Sequence, residues 1–136
     1  MIENVALKDR DYAALADFRH TLRRFQAFSA AKAAEAGLTP QQHQALLAIR
    51  AASPGEVTIG YVAERLIVKP HSATGLIDRL EMLGLVNRQA TSSDRRRSVI
   101  HLTEKAEELL VSLSAAHRDE IGRLKLLLAE LLARIG

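Results

Sequence analysis

The sequence predicts a mainly helical protein carrying one small β-hairpin, and three observations lead there. Apolar side chains recur at alternating spacings of three and four over most of the chain. The residues filling those stripes are Ala, Leu, Ile and Val, with aromatics only 4% of the composition and no Trp. Strand-like patterning occupies a single stretch, Leu85 to Leu102.

The first helix spans about Asp9 to Ala36, with Leu15, Phe18, Leu22 and Phe25 as its stripe and Gly37 as its C-terminal stop. A second begins at Thr39-Pro40-Gln41-Gln42: a hydroxyl N-cap, proline in the first turn and a glutamine three residues on form a capping box. It runs through Leu46, Leu47 and Ile49 to the turn Ser53-Pro54-Gly55. Thr58 caps a short third helix whose Ile59, Val62, Ala63 and Leu66 make one apolar face. A helix this short depends on its neighbours.

The fourth helix opens near Pro70, presents Ala73, Leu76, Ile77, Leu80 and Leu83 on one side, and stops at Gly84. Lys69 is a poor N-cap, so regular helix is expected from Ser72. Leu85 to Gln89 and Ser98 to Leu102 read as two strands around a polar turn, Ala90 to Arg97. Thr103-Glu104 then starts a fifth helix through Leu113, and a sixth carries Ile121, Leu124, Leu128, Leu131 and Ile135.

With 136 residues, 48% of them hydrophobic and 26% charged, the chain suits a single domain over 1–136. Its core is expected at about 38–102, flanked by helices at 9–36 and 103–135. There is no cysteine, which removes disulfides and thiolate chemistry and fits a reducing compartment. Met1 to Arg10 carries four charged residues and no apolar run, so no signal peptide is expected there, and no stretch has the length and apolarity of a membrane span. A cytoplasmic location is the expectation.

Net charge is +3, but its distribution says more. Between Arg65 and Arg97 seven basic residues face three acidic ones, while the rest of the chain is slightly acidic. That concentration points to a local polyanion-binding surface, with a solvated basic loop as the alternative. Paired carboxylates, a nucleophile elbow, a phosphate-cradling glycine loop and a metal motif are all missing from the pattern, so catalysis is not expected. The five histidines, His20, His43, His71, His101 and His117, are scattered without ligand spacing; no metal or other cofactor is expected.

Two short helices joined tightly and followed at once by a basic-tipped hairpin have the outline of a winged helix-turn-helix. A helix fits the DNA major groove and offers its N-terminal side chains to base edges. Here those are His71, Ser72, Thr74 and Gly75, with Lys69 just before them as a further DNA-binding candidate. Arg79, one turn on, either contacts phosphate or pairs with nearby Asp78 and Glu81.

The segment LIVKPHSATGLIDRLEMLG, Leu66 to Gly84, continues into LVNRQATSSDRRRSVIHLT, and together they resemble the DNA-binding block of the MarR family. The resemblance rests on Asp78-Arg79-Leu80-Glu81, on Gly84-Leu85-Val86 leading into the wing, on Asp94-x-Arg96 before Leu102-Thr103, and on the Thr39-Pro40-Gln41-Gln42 opening. It spans roughly Leu38 to Leu110.

The resemblance implies a transcriptional regulator, a ligand-responsive repressor, that binds double-stranded DNA as a homodimer. The first, fifth and sixth helices would interlock, and each wing would reach a minor groove. Arg95, Arg96 and Arg97 are then the wing-tip residues, since weakly hydrated guanidinium suits a narrow minor groove; Asp94 would hold a wing arginine. Gly75 departs from the pattern, because the family often has a larger, frequently basic residue there. Close backbone approach to DNA and tolerated drift both account for it.

Leu15, Phe18, Leu22, Phe25, Leu124, Leu128 and Leu131 are the dimerisation residues, because the leucine-rich last helix offers more apolar surface than a small monomer buries. A small aromatic or phenolic effector is the implied ligand. His43 is its candidate contact, with simple packing as the other reading. A winged-helix module that binds protein instead of DNA is the competing class, though it would not need three successive arginines in its wing.

Overall fold

The computed structural model describes residues 6–91 and 94–135, with backbone alone at 91 and 94–97. In chain order it contains α1 (Asp9–Glu35), α2 (Pro40–Ala51), α3 (Ile59–Leu66), α4 (Pro70–Met82), β1 (Val86–Thr91), β2 (Asp94–Leu102) and α5 (Glu104–Ala133). This is the expected mainly helical fold with one hairpin. The chain divides into two compact units, one of residues up to Lys32 together with those from Ala115, the other Ala33–Ser114.

The unit Ala33–Ser114 is wider than the 38–102 expected for the core. Its first complete helix begins with the capping box the sequence encodes. The Thr39 hydroxyl accepts from the Gln42 amide at 3.1 Å and the Gln42 side-chain oxygen accepts from the Thr39 amide at 3.0 Å, so two amides that a helix start leaves unpaired are satisfied. Thr58 caps α3 by accepting from the Tyr61 amide at 3.2 Å. Ile67 then ends α3 in the left-handed conformation, φ 56° and ψ 51°, turning the chain within three residues into α4.

Helix α4 starts at Pro70, earlier than the expected Ser72, and does so without any side-chain cap from Lys69. Proline supplies the reason: its φ is preset for a helix and it has no amide needing an acceptor. Ala73 closes the first helical bond onto the Lys69 carbonyl at 3.0 Å. At the other end Gly84, φ 74°, takes the turn that a side chain would strain. The Thr103 hydroxyl donates to the Gly84 carbonyl at 2.7 Å, and Lys105 Nζ donates to that of Leu83 at 3.0 Å, joining the end of α4 to the start of α5.

The strands are longer than the expected 85–89 and 98–102. They pair antiparallel from Val86↔Leu102 through Arg88↔Ile100 to Ala90↔Ser98, then pass an irregularity to Thr91↔Asp94. Ladder bonds are made by backbone, so polar residues that read as turn continue the ribbon. The Ile100 amide donates to the Val57 carbonyl at 2.9 Å, fixing β2 to the segment before α3. Leu46, Val62, Ile77, Leu80, Leu85, Val86 and Ile100 are its largest fully buried side chains. Each contributes about 1.5–3 kcal/mol on leaving water.

The separate fifth and sixth helices of the sequence reading are one helix, the 30-residue α5. From Ser114 to Glu120 the chain holds mostly good helix formers and no proline, and Gly122 has nothing around it that forces a break. A change in the phase of the apolar stripe marks a change of partner, not of structure.

In the other unit, α1 and α5 segments run antiparallel, with Asp17 ion-paired to Arg134 at 3.0 Å and Ser29 Oγ hydrogen-bonded to His117 Nε2 at 2.8 Å. The His117 ring meets Phe25 and Phe28 edge-on, centroids 6.1 and 5.6 Å apart. Ala14, Thr21 and Leu131 are buried and Phe18, Phe25, Leu124 and Leu128 half-buried, whereas Leu15, Leu22, Ile121, Leu126, Leu127 and Leu132 are exposed.

Candidate nucleic-acid interface

Helix α4 divides cleanly. Ala73, Ile77 and Leu80 are fully buried, while His71, Ser72, Thr74, Gly75, Asp78, Arg79 and Glu81 are exposed together with Lys69 just before it. The buried positions lie at four- and three-residue intervals, so the intervening polar residues are forced outward. The expected Lys69, His71, Ser72, Thr74, Gly75 and Arg79 thus share the solvent side of the helix and its N-terminal lead-in. With no side-chain cap and no acidic residue in its first turn, the α4 N-terminus keeps its partial positive charge open to an anion. The Thr74 hydroxyl donates back to the Pro70 carbonyl at 3.0 Å.

Gly75 is exposed, and a Cβ built there meets nothing within 4 Å. Packing therefore does not require the glycine. It lies with Ser72, Leu76 and Arg79 along a groove of about 540 Å³ whose other wall is Thr39 to Gln42 at the start of α2.

The two readings of Arg79 separate through a residue the sequence reading did not single out. Arg88, on β1, is ion-paired with Asp78 and reaches Glu81 at 3.7 Å. Among the described residues Arg79 makes no ion pair, so its guanidinium is available to a ligand. Arg88 was one of seven basic residues in its segment, and only its strand position beside α4 distinguishes it. No local spacing signals that pairing.

Asp94, Arg95, Arg96 and Arg97 have their backbone in β2; their side chains lie outside the described residues. His43 is buried at 4% exposure, on the core-facing side of α2 and not at an open surface. Among the described residues no helix is long and apolar enough to cross a membrane.

A short helix, a left-handed turn, a second helix with a polar outer face and an antiparallel hairpin directly behind it define a winged helix-turn-helix protein. The MarR family model matches residues 36–97, the stretch that holds the two helices, the turn between them, β1 and the start of β2. Over that segment the chain is similar to the MarR family.

The chain is 35% identical over 83 residues to the HTH-type transcriptional repressor MdtR of Bacillus subtilis, a match covering 58% of this chain and 52% of that protein. It spans about half the length of the curated relatives it matches. Among solved structures it is similar to the MepR–DNA complex of Staphylococcus aureus, with TM-score 0.64 and 21% identity over 87% of this chain and 95% of that one. It is also similar to CouR of Rhodococcus jostii RHA1 bound to p-coumaroyl-CoA, with TM-score 0.67 and 27% identity over 77% and 73% of the two chains.

Proposed function

We propose that this chain is a transcriptional regulator that binds double-stranded DNA sequence-specifically through α4 and its wing. The observation carrying this reading is the outer side of α4, where hydroxyls, an imidazole, an arginine without an ion pair among the described residues and an uncapped helix N-terminus face solvent while Ala73, Ile77 and Leu80 are held in the core. Lys69, His71, Ser72, Thr74, Gly75 and Arg79 would lie in or beside the major groove. Arg95, Arg96 and Arg97 would enter the minor groove, with Asp94 holding one of them in place. The similarity to the repressor MdtR and to DNA-bound MepR supports the same direction, and repression in the cytoplasm is the form of regulation we infer.

The regulator acts as a homodimer on a palindromic site in this reading. Support comes from the exposed apolar side chains on both segments of the helical unit, Leu15 and Leu22 on α1 and Ile121, Leu126 and Leu132 on α5. Phe18, Phe25, Leu124 and Leu128 would be completed by the second copy, while Leu131, already buried in its own chain, would shape the surface from beneath. A two-fold axis places the half-sites about one helical turn, roughly 34 Å, apart. A small aromatic or phenolic effector would release DNA, a role supported by the ligand named for CouR. The burial of His43 makes packing its first role, with a ligand contact requiring a pocket that opens around α2.

Binding of fluorescent duplexes, selected from genomic fragments by the protein itself, tests the reading. The expected outcome is a small set of palindromic sites bound far more tightly than random duplex, with affinity falling steeply as salt rises. Equal, salt-insensitive affinity for every duplex would point to the protein-binding module instead.

A further inference from the structure

The charged residues of α4 are Asp78, Arg79 and Glu81, so the helix taken alone carries a net negative charge. That is the wrong sign for a helix entering a groove walled by phosphates. Both carboxylates are exposed on the outward side, Asp78 at 56% and Glu81 at 48% of their side-chain surface, whereas the Arg88 side chain that meets them is only 24% exposed.

We propose that Arg88 is an electrostatic screen for the DNA-facing side of α4: from β1 it neutralises Asp78 and Glu81 and thereby leaves Arg79 unpaired for phosphate. The inference rests on the DNA-binding reading given above and assigns Arg88 a role that needs no contact with DNA.

Three features of the geometry carry it. Arg88 faces Ile100 in the ladder and is anchored on a strand that packs beside α4, so its head is delivered to the two carboxylates by the fold and not by chance encounter. Its Nε is buried and has no hydrogen-bond partner, lying 3.7 Å from the Glu81 carboxylate, while the end of the guanidinium pairs with Asp78. One guanidinium therefore serves two carboxylates one turn apart, a division suited to its planar, multiply donating head. Without it, the two negative charges would offset that of Arg79, which lies between them along the chain, and would repel the approaching backbone.

Arg88 is thus a positioning and charge-balancing residue, which distinguishes it from a phosphate-binding one. If Arg88 touched phosphate, removing the carboxylates would not replace it. If it screens them, removing them makes it dispensable.

The test compares the whole protein with Arg88→Met, with Asp78→Asn/Glu81→Gln, and with the triple variant, each verified as folded by circular dichroism, on a duplex the unmodified protein binds. Arg88→Met should weaken binding at least tenfold, the carboxylate double variant should bind at least as tightly as the unmodified protein, and the triple variant should return to within about threefold of it. Loss in Arg88→Met without recovery in the triple variant overturns the proposal and makes Arg88 a DNA contact or a purely structural tie. Unchanged binding by Arg88→Met, or loss caused by the carboxylate double variant, overturns it as well. Failure of the unmodified protein to bind any duplex would instead remove the DNA-binding reading, a result separable from the others.

Discussion

Ile67 sits in the turn between α3 and α4 with φ 56° and ψ 51°, and the residue is 91% exposed. A residue with a Cβ in this region costs about 1–2 kcal/mol, and β-branching restricts Ile further. Almost nothing offsets that cost through burial, because full burial of an Ile is worth about 1.5–3 kcal/mol and less than a tenth of its surface is covered. Ile67→Gly removes the strain but adds about 0.5–1 kcal/mol of backbone entropy to the unfolded chain, leaving a net gain of roughly 0.5 kcal/mol. Asn tolerates the left-handed region without that entropy cost, so Ile67→Asn should stabilise by about 1 kcal/mol. The assay is urea denaturation followed by circular dichroism at one fixed protein concentration, since association shifts apparent stability. An unchanged m-value with a raised midpoint is expected. Destabilisation of Ile67→Asn by more than about 0.5 kcal/mol would refute the reasoning.

Other outcomes follow from the same structure. Ile77→Ala, at a fully buried site on the inner side of α4, should cost about 2–5 kcal/mol, measured by the same denaturation. Thr39→Ala removes the hydroxyl from a complete capping box and should cost about 1 kcal/mol. Gly75→Ala has open space around its new methyl group and should stabilise α4 by up to about 1 kcal/mol; if it also weakens DNA binding in a gel shift, close backbone approach explains the glycine, and if not, drift does. Arg96→Ala should weaken operator binding at unchanged melting temperature, an outcome checked by fluorescence anisotropy. Leu22→Asp, at an exposed position on α1, should convert dimer to monomer in analytical ultracentrifugation and abolish tight operator binding in parallel.

Much of the architecture was legible because its signals are local. Thr39 with Gln42, Thr58 before its amphipathic turn, and Gly84 after Leu83 each act within a few residues, so their spacing in the chain is already their spacing in space. The outward positions of α4 followed equally well, since burying Ala73, Ile77 and Leu80 leaves Ser72, Gly75 and Arg79 nowhere else to go. The α5 region was misjudged where an apolar stripe changed phase, because periodicity records which side is covered and not whether the backbone breaks. Polar strand residues beyond Gln89 were misjudged for a related reason, as ladder pairing belongs to backbone and composition is mute about it.

By itself the sequence determined the order of α1 to α4 and the hairpin, the caps of α2 and α3 and the buried side of α4, because these arise from contacts close along the chain. Only the tertiary structure decided that Arg88 meets Asp78 and Glu81, that Arg79 makes no ion pair among the described residues, and that Leu131 is buried while Leu22 is not. Those outcomes depend on which strand lies beside which helix, and a charge or an apolar side chain acquires its partner only when folding brings the two segments together.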